Sequence, residues 1–133
     1  MIGSPNAVHG YHAHIYYNND SFNNTRSIAE KLRDTLESNF PVKTGKSSGI
    51  TGPHPAPQIQ ITFKKKAFQS VVSWLMLNRQ GLDILIHPLT DDEYEDHTAN
   101  ALWLGRPVRL HLGRLPHTGY RAELLPRPNL VVE

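Results

Sequence analysis

Cysteine is absent from the 133 residues. That excludes disulfides, thiolate zinc sites, iron–sulfur clusters and a cysteine nucleophile, and it suits a cytoplasmic location. Long apolar runs are missing too. None approaches the roughly 18 residues that a membrane helix needs, so no membrane partner is expected. The opening "MIGSPNAV" lacks the basic and apolar regions of a secretion signal. Charge of one sign scarcely accumulates: 14 Lys and Arg stand against 12 Asp and Glu, a net +2. That excess is too small to argue for nucleic acid, and no RNP-like, zinc-finger or helix-turn-helix signature accompanies it. No repeat at solenoid spacing and no low-complexity tract is present.

What the chain has instead is histidine, eight residues of it against four phenylalanines. Histidine is the commonest metal ligand and the usual acid or base near neutral pH. With 38% hydrophobic and 20% charged residues, the composition fits one globular domain over 1–133. Its core is expected over about 10–115, with a C-terminal arm at 116–133.

The pattern along the chain predicts an α+β fold. "GYHAHIYY" (residues 10–17) alternates as a strand does, with Ala13, Ile15 and Tyr17 on one face and His12, His14 and Tyr16 on the other. Ile28, Leu32, Leu36 and Phe40 recur every four residues, one helical stripe. Ser27 and Glu30 have capping-box spacing, Arg33 and Glu37 an i,i+4 ion-pair spacing, and Pro41 stops the helix. "VKTGKSSGI" reads as a short edge strand and "TGPHPAP" as a stiff loop. "PQIQITF" alternates cleanly as a strand, and "KKK" is its solvated end. A second helix carries Phe68, Val71, Val72 and Leu75, with Gly81 as its stop. "LDILIHPL" is a further strand. Five acids in six residues, Asp91 to Asp96, form an acidic loop. Ala101 to Leu104 reads as a short helix stopped by Gly105, and "PVRLHLGRL" (107–115) as an extra strand. Trp74 and Trp103 read as packing residues.

The order β-α-β-β-α-β is the ferredoxin-like arrangement, an antiparallel sheet with two helices on one face. Its spatial strand order is 4-1-3-2, so the first strand lies beside the fourth. The opposite, open face suggests closure by a second copy, a homodimer.

This topology gathers histidines. His12 and His14 share one face, and His87 has the parity to join them on the neighbouring strand, about 4.8 Å away. Metal–nitrogen bonds of about 2.0–2.1 Å would let three such imidazoles converge on one ion. His54, in the proline-stiffened loop, and His97, after the acidic run, flank the same region. Each feature alone has a plainer reading, as a polar strand residue or a solvated loop; the joint placement of five is what points to a site. His111 is expected to face outward, and His9 and His117 are given no role.

"GYHAHIYY", "GPHP", "WLMLNRQGLDILIHPLT" and "DHTANALWLG", in that order, resemble the successive motifs of the DOPA 4,5-dioxygenase family, the small fungal and bacterial type. The resemblance covers residues 10 to about 113 and implies a ferredoxin-like fold and extradiol cleavage of a catechol such as L-DOPA with O₂. It implies a non-haem Fe(II), with Zn or Mn as alternative occupants. Such iron commonly takes two histidines and a carboxylate. Here His12, His14 and His87 are the expected ligands, with Asp96 or Glu93 as a carboxylate alternative. His54 and His97 are the expected catalytic residues, base for the catechol proton and later acid. Arg79 is a candidate partner for a substrate carboxylate, with a helix-end contact as its alternative. Two other classes remain open: a metal-dependent enzyme that is not an oxygenase, such as a zinc hydrolase, and a non-catalytic dimer that binds aromatic ligands.

Overall fold

The computed structural model describes residues 3–46 and 51–115. Strand β1 (Tyr11–Tyr16) leads to helix α1 (Arg26–Asn39), edge strand β2 (Val42–Thr44) and strand β3 (Gln58–Phe63). Helix α2 (Phe68–Asn78), strand β4 (Ile84–Pro88), one-turn helix α3 (Glu93–Asp96) and strand β5 (Leu102–Leu104) follow. The sheet order is β2-β3-β1-β4-β5, and every pairing is antiparallel. The first four strands thus have the ferredoxin-like order expected from the alternation of elements.

Period-2 and period-4 patterning meet in the core. Ala13 and Ile15 of β1, Ile59, Ile61 and Phe63 of β3, and Ile84 and Ile86 of β4 are buried. They pack with Ala29, Leu32 and Leu36 of α1 and Val71, Val72 and Leu75 of α2. Burying side chains of this size contributes about 1.5–3 kcal/mol each. Ile28 and Phe40, at the flanks of the predicted stripe, are only partly buried, because the stripe drifts round the helix and Ala29 takes the central place.

Several local expectations are corrected. Thr25, not Ser27, precedes α1, so the capping box does not form. Arg26 pairs with Glu30 at 3.2 Å, Arg33 turns to Asp34 at 3.0 Å, and Glu37 accepts instead from Thr44 Oγ1. The segment expected as a short helix, Ala101 to Leu104, supplies β5 instead. Its Leu104 and Leu102 pair with Ile84 and Ile86. The edge of β4 beside it was unpaired, and pairing there satisfies backbone groups that a single turn of helix leaves open. The strand expected over 107–115 is absent: residues 107–111 take no regular structure and Leu112–Arg114 is a 3-10 turn. The backbone N–H of His111 bonds Pro53 O at 2.8 Å, so this stretch ties down the loop before β3 rather than extending the sheet. The stop expected at Gly81 comes one residue earlier: α2 ends at Asn78 with Arg79 as its C-cap, Gln80 at φ 52° takes the first left-handed position, and Gly81 follows at φ +81°. The C-terminal arm and His117 lie outside the described residues, as does part of the glycine-rich segment after β2.

Candidate metal centre

The register of β1 and β4 sets His12 directly opposite His87. His14 stands two residues along on the same face. The helices cover the other face, so these side chains point away from the apolar core. They are not left in water. The loop before β3 lays His54 over His14, with ring centroids 4.2 Å apart, and the turn after α3 lays His97 over His87, at 4.0 Å. His14 and His87 are each only 2% exposed. The sheet face expected to be open for a second copy is therefore closed over its histidines by the chain's own loops.

The nitrogens are organised from outside in. His14 Nδ1 lies 2.9 Å from Gln58 Oε1, His87 Nδ1 2.8 Å from Pro88 O, and His97 Nδ1 2.8 Å from Glu93 O. Each partner is an acceptor, so each Nδ1 carries the proton and each Nε2 keeps a lone pair. His14 Nε2 and His87 Nε2 then face each other at 3.1 Å, two lone pairs directed at one another. His12 Nε2 is buried with no hydrogen-bond partner among the described residues. Opposed lone pairs and an unpartnered buried nitrogen are costly to bury, and a cation between them removes the cost. Two nitrogens bound to one ion at about 2.0–2.1 Å sit about 2.9–3.4 Å apart, depending on coordination angle, and the observed spacing falls in that range. Ligand atoms of His12, His14 and His87 lie within 4.8 Å of one another, as do those of His14, His54 and His97.

Burial also sets the charge state. Desolvation, and then the mutual repulsion of the rings, drives His14 and His87 well below the ordinary imidazole value. Desolvation first, then His97 and His54, lowers His12 to about 3. Desolvation and His97 lower His54 to about 4, and desolvation also lowers His97. The five imidazoles are neutral at physiological pH, the form that binds a metal.

The five predicted histidines thus come together. The two carboxylates belong to neither histidine cluster, though both line the same cavity. Asp96 is 1% exposed, and its oxygens are taken by Thr90 N at 2.8 Å and Thr90 Oγ1 at 2.6 Å. Glu93 lines the cavity but belongs to neither cluster. Arg79 does not line it; Nη1 donates to Leu82 O at 2.9 Å, closing the turn after α2. His111 is exposed, as expected. His9 lies near the acidic loop, 3.6 Å from Asp91. Two residues escaped prediction. Gln58 fixes His14, and Tyr16 holds His54, its hydroxyl 2.6 Å from Nδ1. Both share the histidine face by parity, and β1–β3 register pairs Tyr16 with Gln58; that parity was the available signal.

The cavity under the histidines measures about 190 Å³, room for one small aromatic ring and its substituents. A larger cavity of about 610 Å³ lies by the N-terminal residues, Tyr11, Phe68 and Leu102. It meets the histidine cluster only at His87.

The profile of the Dopa 4,5-dioxygenase family matches residues 11–114. A DOPA 4,5-dioxygenase of Amanita muscaria is 43% identical over 65 residues, which are 49% of this chain and 28% of that protein. An uncharacterized 21.2 kDa protein of Botryotinia fuckeliana is 36% identical over 69 residues, 46% of this chain and 38% of that one. The chain thus spans well under half the length of these two relatives. The crystal structure of a candidate dioxygenase from Nostoc punctiforme superposes with a TM-score of 0.78 at 39% identity, covering 84% of this chain and 95% of that one.

Proposed function

The chain belongs to the Dopa 4,5-dioxygenase family, and we propose that it is an extradiol ring-cleaving dioxygenase of a small catechol such as L-DOPA, dependent on a non-haem Fe(II). The observation that carries this reading is the pair of opposed Nε2 lone pairs of His14 and His87, 3.1 Å apart, beside the unpartnered Nε2 of His12. These three residues would hold the metal. When bound, such an ion lowers the pKa of a phenol and templates two reactants.

The rest is the work of this chain's own groups. The cavity walls of His54, Pro53 and Leu89 seat a flat ring and exclude water from it. His97 and His54, both neutral, stand over the ligand set, positioned to hold or move the phenolic protons. Gln58, Pro88 O and Glu93 O fix three ring orientations before substrate arrives.

The test is anaerobic loading with Fe(II), followed by L-DOPA or simpler catechols and then air. Stoichiometric oxygen uptake with a new yellow chromophore supports ring cleavage. Iron-loaded protein that takes up no oxygen with a panel of catechols would sink the reading. A hydrolase using the same histidines would instead keep zinc through purification and work without oxygen. A binding protein would hold aromatics after His12 and His87 were both replaced.

A further inference from the structure

We propose that Tyr16 fixes His54 as the hydrogen-bond donor of the cavity, leaving His97 as the imidazole that accepts a proton. The tautomer stands on geometry alone; its use toward a catechol rests on the dioxygenase reading.

The argument turns on what each Nδ1 meets. For His14, His87 and His97 the partner is a carbonyl-type oxygen that can only accept. For His54 the partner is the hydroxyl of Tyr16 at 2.6 Å, which can give or take. The phenolic proton decides between the two. Tyr16 is buried, and His54 is the hydrogen-bond partner of its hydroxyl among the described residues. If His54 donated, the phenolic O–H would be buried without an acceptor, at about 1–3 kcal/mol. Stacking on Trp103, with centroids 6.1 Å apart and planes 19° from parallel, holds the ring in place. Tyr16 O–H therefore donates to His54 Nδ1, and the neutral imidazole carries its own proton on Nε2.

The consequence is a division of roles among similar residues. A protonated Nε2 is neither a metal ligand nor a base, so His54 leaves the ligand set, and of the two overlapping clusters the one built from His12, His14 and His87 is favoured. His97, with Nδ1–H held by Glu93 O, offers a bare Nε2. A catechol O–H bond breaks, the proton goes to His97 Nε2 to form imidazolium, and the oxygen left negative is met by His54 Nε2–H. Tyr16 is the positioning residue, since it acts only through His54.

Long-range proton–nitrogen correlations on metal-free protein with nitrogen-15 histidine, recorded at a pH about one unit above the ordinary imidazole pKa of ~6.5, read each tautomer directly. The expected result is Nε2–H on His54 and Nδ1–H on His14, His87 and His97, with Tyr16→Phe shifting His54 to a mixture of both forms. Nδ1–H on His54 in the unaltered protein overturns the proposal without any variant being needed, and so does an unchanged tautomer in Tyr16→Phe. On iron-loaded enzyme, His54→Ala should lower kcat about 100-fold. His54→Gln, whose amide N–H replaces Nε2–H, should recover about tenfold of that loss, while His97→Gln recovers none. Equal losses for the two His54 variants overturn the donor role. Absence of oxygen uptake by the unaltered enzyme counts against the dioxygenase reading and leaves the tautomer assignment standing.

Discussion

His14 is the residue on which the site closes. It belongs to both histidine clusters, and its orientation depends on one amide, Gln58, itself buried. Replacing Gln58 by Leu removes the acceptor while leaving a side chain of similar bulk. The Nδ1–H is then buried unpaired and the ring loses its fixed tautomer. Metal affinity should fall about 10–100-fold, read by competition with a chromophoric chelator; unchanged affinity would remove Gln58 from the metal's support. His14→Ala should abolish stoichiometric metal retention, whereas His9→Ala, outside both clusters, should leave it intact. At this scale the sequence was informative where residue type carried the chemistry. Alternation along "GYHAHIYY" and the parity of "LDILIHPL" placed His12, His14 and His87 together. Gln58 and Tyr16 were hidden because a Gln or Tyr on a strand reads equally well as a half-wet surface residue; their importance comes from what the neighbouring strand and loop bring to them.

Elements were legible in proportion to how local their causes are. The long alternations and the α1 stripe come from periods within one segment, and those elements formed. The segment from Ala101 to Leu115 was misread because its conformation is set elsewhere. Leu102–Leu104 became a strand because β4 had a free edge. Residues 107–111, for all their alternation, pair with no strand; the backbone N–H of His111 is tied to Pro53 O instead. The acidic run was likewise not simply a solvated loop. Asp92 caps α3 by accepting from Glu95 N at 3.0 Å, and Asp96 clasps Thr90 across the connection that carries His97. Asp96→Ala leaves the Thr90 N–H and hydroxyl without that acceptor. It should cost about 1–3 kcal/mol in chemical denaturation and lower kcat through a misplaced His97. Asp96→Asn, which keeps an acceptor, should lose less of both. A loss confined to stability, with kcat unchanged, would show that the clasp does not position His97.

For the molecule as a whole, the histidine face sets how stability depends on pH. In the unfolded chain the imidazoles titrate near ~6.5, whereas in the metal-free fold burial holds His54 down to about 4 and His12 to about 3, with His14, His87 and His97 also lowered. Above ~6.5 these groups are neutral in both states and stability does not change on their account. Below it the unfolded chain binds protons that the fold refuses, so stability falls as pH drops toward the folded values. Burial raises Asp96 and Glu93, which acts in the opposite sense because the fold takes up their protons first. It offsets part of the histidine effect, which begins just below ~6.5, and the window from about 6.5 to 5 is where the unfolded imidazoles take up most of their protons. The urea midpoint of metal-free protein should therefore decline steadily across this window. Added metal should raise the midpoint at neutral pH by binding only the folded state, and the gain should shrink with falling pH as protons compete for the same nitrogens. A metal-free midpoint that is flat across the window would mean that the fold accepts these protons, and with them a cluster open to water rather than one closed around a cation.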